Sequence, residues 1–147
     1  MRKLVIATTL VALPMFLGWA QNDQKITWLD RKELKCLVEN VYHEARGEPF
    51  TGQVAVARVT LNRVGKWAAT VCEVVYQHKQ FSWTAKKNVE IKDLEAYQTA
   101  WNAAWMSKTF DFDATYYHAE RVRPRWAKKL TKVTQINNHI FYESGDK

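Results

Sequence analysis

The sequence predicts an α+β domain, mainly helical, with a small antiparallel sheet at its C-terminal end. Three observations carry this. Apolar residues recur at spacings of three and four along three stretches between Thr27 and Lys108. Beyond Asp113 the period drops to about two, in segments rich in β-branched and aromatic residues. After an apolar leader about 125 residues remain, enough for one real core and too few for two.

The leader, "MRKLVIATTLVALPMFLGWA", places Arg2 and Lys3 ahead of 17 uncharged residues, Leu4 to Ala20. Small residues at Gly18 and Ala20 precede Gln21, which is the layout of a secretory signal. The stretch also lies at the lower edge of what spans a bilayer. Residues 1–20 are therefore expected to be a signal peptide or a signal anchor, with export to the periplasm, the cell envelope or the medium, and membrane association if the segment is retained. The domain itself is expected over residues 27–143.

The first helix follows from Leu34, Leu37, Val38, Val41 and Ala45, with Asp30 as cap and Glu33 three residues later completing a capping box. Cys36, Asn40 and Glu44 share one of its faces. Gly47 and Pro49 end it. A second helix starts at Thr51 or Gly52 and lays Val54, Ala57, Leu61 and Val64 against the core, until Gly65 closes it. A looser segment follows, with a short apolar run from Val71 to Tyr76 and then a polar, aromatic-rich loop. "DLEAYQTAWNAAWMSK" is the third helix, with Asp93 near its start and Leu94, Tyr97, Trp101, Ala104 and Trp105 along one side. "ATYYHAE", "LTKVTQI" and "HIFYE" are the strands, and Asn137-Asn138 makes a tight turn because asparagine tolerates positive φ.

Composition narrows the function. The net charge of +7 becomes +5 without Arg2 and Lys3, a balance that favours polyanionic surroundings; with export, the acidic polymers of a cell wall fit better than nucleic acid. Cys36 and Cys72 are the only cysteines. In an oxidising compartment they read as one disulfide, the alternative being two buried thiols. Neither H-E-x-x-H nor C-x-x-C is present among the four histidines and two cysteines, so no metal and no cofactor is expected. G-x-S-x-G and the phosphate-binding glycine loop are absent too.

Carboxylate chemistry remains. A glutamate in a partly apolar cleft keeps its proton near neutral pH and can deliver it to a glycosidic oxygen. Glu44, in "VYHEARGEPF", sits late in its helix, where the dipole mildly disfavours it, beside Tyr42 and His43. The plainer reading is a surface carboxylate paired with Arg46 or a lysine. Glu48 lies in the turn, where solvation is easy. Seven tryptophans, six tyrosines and six phenylalanines offer faces for sugar rings as well as core. "ERVRPRWAKKLTK" sets six basic residues around Trp126, either a grip for anionic polymer or a solvated face.

"VYHEARGEPFTGQVAVARVTLNRV", "VCEVVYQHKQFSW" and "YYHAERVRPRWAKKLTKVTQINNHIFY" resemble, in order, the signature blocks of the SleB/CwlJ-type cell-wall hydrolases, from about Leu34 to Tyr142. The resemblance implies a mainly helical fold related to lysozyme-like lytic transglycosylases. It also implies peptidoglycan as partner and Glu44 as the single catalytic acid and base; the protein is expected to be a monomer. Gln80, Phe81, Ser82 and Trp83, with Tyr117 and His118, are implied as cleft residues. Spore enzymes of the family add a wall-binding domain, whereas a lone catalytic module is expected here. Many members are described as N-acetylmuramoyl-L-alanine amidases, so that activity and a non-catalytic peptidoglycan-binding module stand as alternatives.

Overall fold

Helix α1 (Arg31–Ala45) begins where Asp30 caps it, its carboxylate accepting the Glu33 amide at 2.9 Å. The reciprocal half of the expected capping box is not made. Glu33 turns its own carboxylate to the Cys72 amide, 2.9 Å away, and so ties α1 to the next helix in space. A full box forms instead at Thr70 and Glu73, opening α3 (Val71–Tyr76), where the sequence showed only an apolar run. The structure is a computed structural model that describes residues 29–86 and 89–144; the leader lies outside the described residues. Among the described residues no helix is long and apolar enough to cross a membrane.

Pro49 occupies the cap position of α2 (Phe50–Arg63), which starts one residue ahead of the expected Thr51. The expected stripe on this helix is too narrow. Val54, Ala55, Val56, Ala57, Val59 and Thr60 are all buried, while Leu61 and Val64 are only partly covered. The helix is enclosed because α1, α3, α4 (Leu94–Met106) and the sheet all pack around it.

Helix α4 (Leu94–Met106) is capped by Asp93, and its buried face takes in Ala104, Tyr97 and Trp101 of the expected stripe but is rotated away from Leu94 and Trp105. Ala100, Ala103 and Ala104 are fully buried against α1 and α2, whereas Leu94 is 76 % and Trp105 48 % exposed. Small side chains let the helix approach closely, so the alanines, not the large residues, set its orientation. Tyr97 and Trp101 pack at the margin of the core.

The three strands fall where the period-two pattern places them: β1 (Tyr116–Ala119), β2 (Thr131–Ile136) and β3 (His139–Glu143), antiparallel in the order β1-β3-β2. Asn137 takes φ 46° in the β2–β3 turn. A bulge between Lys132 and Thr134 breaks the register of β2. One apolar cluster lies among the helices; a second, with Val56, Val59, Phe112 and Phe141, joins α2 to the sheet.

Two cross-links fix α1. Its Cys36 is disulfide-bonded to Cys72 at the start of α3, Cα atoms 5.3 Å apart. Four residues on, buried Asn40 donates to Thr60 Oγ1 (3.1 Å) and accepts the Trp83 indole N–H (3.2 Å). The face that carries Cys36 and Asn40 therefore has its direction fixed before it reaches Glu44.

Candidate active site

Glu44 ends that face, half-buried in the wall of a cleft of about 670 Å³. The cleft runs between the end of α1, the Gln80–Ser82 loop, the end of β1 and the β2–β3 turn. Burial raises the Glu44 pKa above the ordinary carboxylate value, opposed by a hydrogen bond from Tyr117 and by the charge of Arg63. The Tyr117 hydroxyl donates to Glu44 Oε2 at 3.5 Å. Burial, and then the neighbouring carboxylate, push the Tyr117 pKa well above its usual value, so it stays a donor.

The sequence did not single out Arg63. It lies at the C-terminal end of α2, only 3 % exposed, and its Nε donates to the Thr115 carbonyl at 2.8 Å. Its guanidinium sits 4.4 Å from the Trp67 ring centre, 5.7 Å from Phe81 and 5.9 Å from Tyr117. It forms no ion pair within 4 Å of any carboxylate among the described residues. Glu44 is thus the acid whose charge it feels, at a distance, in a dry setting. No local signal marked it, because α2 carries a second cation, Arg58, which bonds the Ser107 and Lys108 carbonyls instead.

Gln80, Phe81 and Ser82 line the cleft, presented by a reversal in which Lys79 takes φ 62°. Trp83 does not. The 3-10 turn Ser82–Ala85 points it inward, where it is buried, bonded to Asn40 and stacked on His43 with ring centres 4.5 Å apart. Its place is behind the cleft wall, as support for the histidine that does line it. Tyr117 and His118 both line the cleft. His118 donates Nδ1–H to the Ala119 carbonyl (2.9 Å), so in the neutral ring Nε2 accepts from the Tyr142 hydroxyl (3.0 Å).

His43 and His139 were also missed as cleft residues. Burial lowers the pKa of both, with the charge of Arg46 adding to the effect on His43, so both rings are neutral at neutral pH. Glu48 lines the cleft from the other side of the α1–α2 turn. Burial would raise its pKa, but hydrogen bonds from Asn137 and Asn138 outweigh that and hold it below the ordinary value. The two glutamates are consequently driven apart, one toward the acid form and one toward the carboxylate. Gly52 permits this arrangement: a Cβ there would lie 3.2 Å from Glu48 Cβ and 3.5 Å from Ile136 Cγ2.

Among the described residues no three of histidine, cysteine, aspartate and glutamate come together as a metal-ligand group.

Residues 47–142 match the family described as Cell Wall Hydrolase, a span that begins just past Glu44. The spore cortex-lytic enzyme of Bacillus cereus is 30 % identical over 127 residues, covering 84 % of this chain and 45 % of the relative. That of Bacillus subtilis (strain 168) is 30 % identical over 136 residues, covering 90 % and 41 %. The chain thus spans a little under half the length of these relatives. Two solved structures share the fold, each 29 % identical with a TM-score of 0.69 over 80 % of this chain. One is the catalytic domain of the germination-specific lytic transglycosylase SleB from Bacillus anthracis, covered to 98 %; the other is the catalytic domain of Bacillus cereus SleB, covered to 94 %. The mainly helical, lysozyme-like fold with its small sheet is the fold observed. The family match and the shared fold fall on the same stretch of sequence, and the chain belongs to the cell wall hydrolase family.

Proposed function

We propose that this domain cleaves the glycan strand of peptidoglycan, between N-acetylmuramic acid and N-acetylglucosamine, as a lytic transglycosylase working outside the cytoplasm. The observation that carries the reading is the contrast between Glu44, whose pKa burial raises, and Glu48, which three hydrogen bonds engage as a carboxylate. The similarity to the Bacillus anthracis SleB domain, a lytic transglycosylase, supports the same reaction type.

The protonated Glu44 gives its proton to the glycosidic oxygen as the bond from the muramic C1 breaks, and the bonding pair leaves with the glucosamine O4. The new Glu44 carboxylate is steadied by the Tyr117 hydroxyl and by the charge of Arg63. It then takes the proton of the muramic 6-hydroxyl, whose oxygen bonds to C1 and closes a 1,6-anhydro ring. Glu44 ends protonated and no water is consumed. One carboxylate suffices, which fits a cleft where Glu48 is tied to the hairpin and Glu120 is solvent-exposed.

Mass spectrometry of digested sacculi tests the reading. The expected products carry 1,6-anhydro ends. Reducing ends would instead mark a hydrolytic muramidase, free peptides an amidase, and intact glycan with retained protein a binding module. Glu44→Gln is expected to keep the fold and lose turnover by about 10³-fold, because the amide fills the same space without relaying a proton. A variant that digests sacculi at the wild-type rate would remove Glu44 from the mechanism.

A further inference from the structure

Between β1 and β2 the chain carries five cations, Arg121, Arg123, Arg125, Lys128 and Lys129, against one acid, Glu120. All five are exposed, and none pairs with a carboxylate among the described residues. A merely solvated loop would disperse such charges among acids, since like charges held together repel.

The segment is also firmly seated. Trp126, in the 3-10 turn Arg125–Lys129, packs its ring against Tyr116, His118 and Tyr142, with centres 5.4, 5.6 and 5.6 Å away. The Val122 amide donates to the Ala119 carbonyl (2.8 Å) and the Glu120 amide to the Asn138 carbonyl (2.7 Å), which fastens the start of the segment to the hairpin tip. Arg121 lines the cleft and the later cations do not, so the charged edge leads outward from the cleft mouth.

A glycan strand of N-acetylated sugars is neutral apart from the lactyl arms and what they bear. The peptides hanging from those arms carry the free carboxylates. An array of guanidinium and ammonium groups beside a glycan-sized cleft complements those peptides, and the sugars offer it nothing to pair with.

We propose that residues 121–129 form a subsite for the carboxylate-bearing peptide stem of the strand lying in the cleft. This rests on the glycan-cleaving reading above. It makes the enzyme selective for stem-bearing over naked glycan.

The test uses two substrates prepared from the same phosphate-free sacculi, glycan strands with their stems and strands stripped of them by an amidase and then amidated at the lactyl carboxylates that the amidase frees. The wild type is expected to show kcat/KM about tenfold higher on stem-bearing strands, the worth of several exposed ion pairs together. That advantage should shrink as salt rises from about 0.05 to about 0.5 M. The combined variant Arg123→Gln, Arg125→Gln, Lys128→Gln, Lys129→Gln is expected to lose the advantage, keeping its rate on stripped strands and its melting temperature. Equal wild-type rates on the two substrates, or an equal loss on both in the variant, overturns the stem subsite. 1,6-Anhydro products without stem preference overturn it and leave glycan cleavage standing, whereas free peptides in place of anhydro ends overturn both.

Discussion

Asn138, at the tip of the β2–β3 hairpin, donates both its backbone amide and its side-chain amide to the Glu48 carboxylate, each at 3.2 Å, across 90 residues of chain. Asn137 adds a third bond at 3.0 Å. One carboxylate thereby fastens the turn after α1 to the hairpin and sets the spacing of two cleft walls.

Glu48→Ala should therefore loosen the cleft more than the fold. About 1 kcal/mol of stability is expected to go, after discounting for partial exposure, with a roughly tenfold loss in kcat/KM. The folded pKa of Glu48 lies below its unfolded value, so its contribution is present above the unfolded pKa and disappears as pH falls through the folded one. Melting curves of wild type and variant should converge in acid. A constant gap down to about pH 2 would contradict the ionic clamp.

Glu44 works the other way. Its folded pKa is raised, so the wild type loses stability as pH rises through the unfolded value and on to the folded one. Glu44→Gln, which never ionises, should melt higher than wild type at about pH 7, by up to about 4 °C, with no difference at about pH 3. A variant less stable at neutral pH would mean that the carboxylate is structurally satisfied.

Turnover needs protonated Glu44, so activity should fall as pH rises through its elevated pKa. The Tyr117 hydrogen bond and the Arg63 charge both oppose that elevation. Tyr117→Phe and Arg63→Met should each move the alkaline limb of the kcat/KM profile to higher pH while lowering the maximum. A limb that stays put, or moves down, would separate these residues from the acid.

Asn40 joins α1, α2 and the Trp83 turn. Asn40→Leu would leave the buried Trp83 N–H without its partner and is expected to cost about 2–3 kcal/mol in urea melts. Adding Trp83→Phe should cost less than the sum of the two changes; strict additivity would deny the coupling.

Reduction of the Cys36–Cys72 bond, which closes a loop with a sequence separation of 36, should lower stability by about 3–4 kcal/mol in the chain-entropy view. An unchanged melting temperature in reducing agent would show that the hydrogen bonds beside it suffice.

Much of the fold was legible because its determinants are local. Asp30 and Asp93 cap their helices, the apolar spacing gives α1, α2 and α4 within a residue or two, and the Asn137-Asn138 turn pairs β2 with β3. Orientation was less legible. On α4 the expected stripe was right for Tyr97, Trp101 and Ala104 and wrong for Leu94 and Trp105, since Ala100, Ala103 and Ala104 centre the buried face, and α2 proved to be covered nearly all round.

For the site, the spacing of Cys36, Asn40 and Glu44 already put a glutamate on one line with two residues that the core now holds. By itself the sequence determined the elements, the shared face of α1 and the family blocks, because these depend on neighbours three or four positions away. Only the tertiary structure decided which groups surround Glu44. Tyr117 stands 73 residues further on, and Arg63 is an ordinary cation until rings from Trp67, Phe81 and Tyr117 enclose it. Desolvation arises where distant segments exclude water together, and no local pattern encodes it.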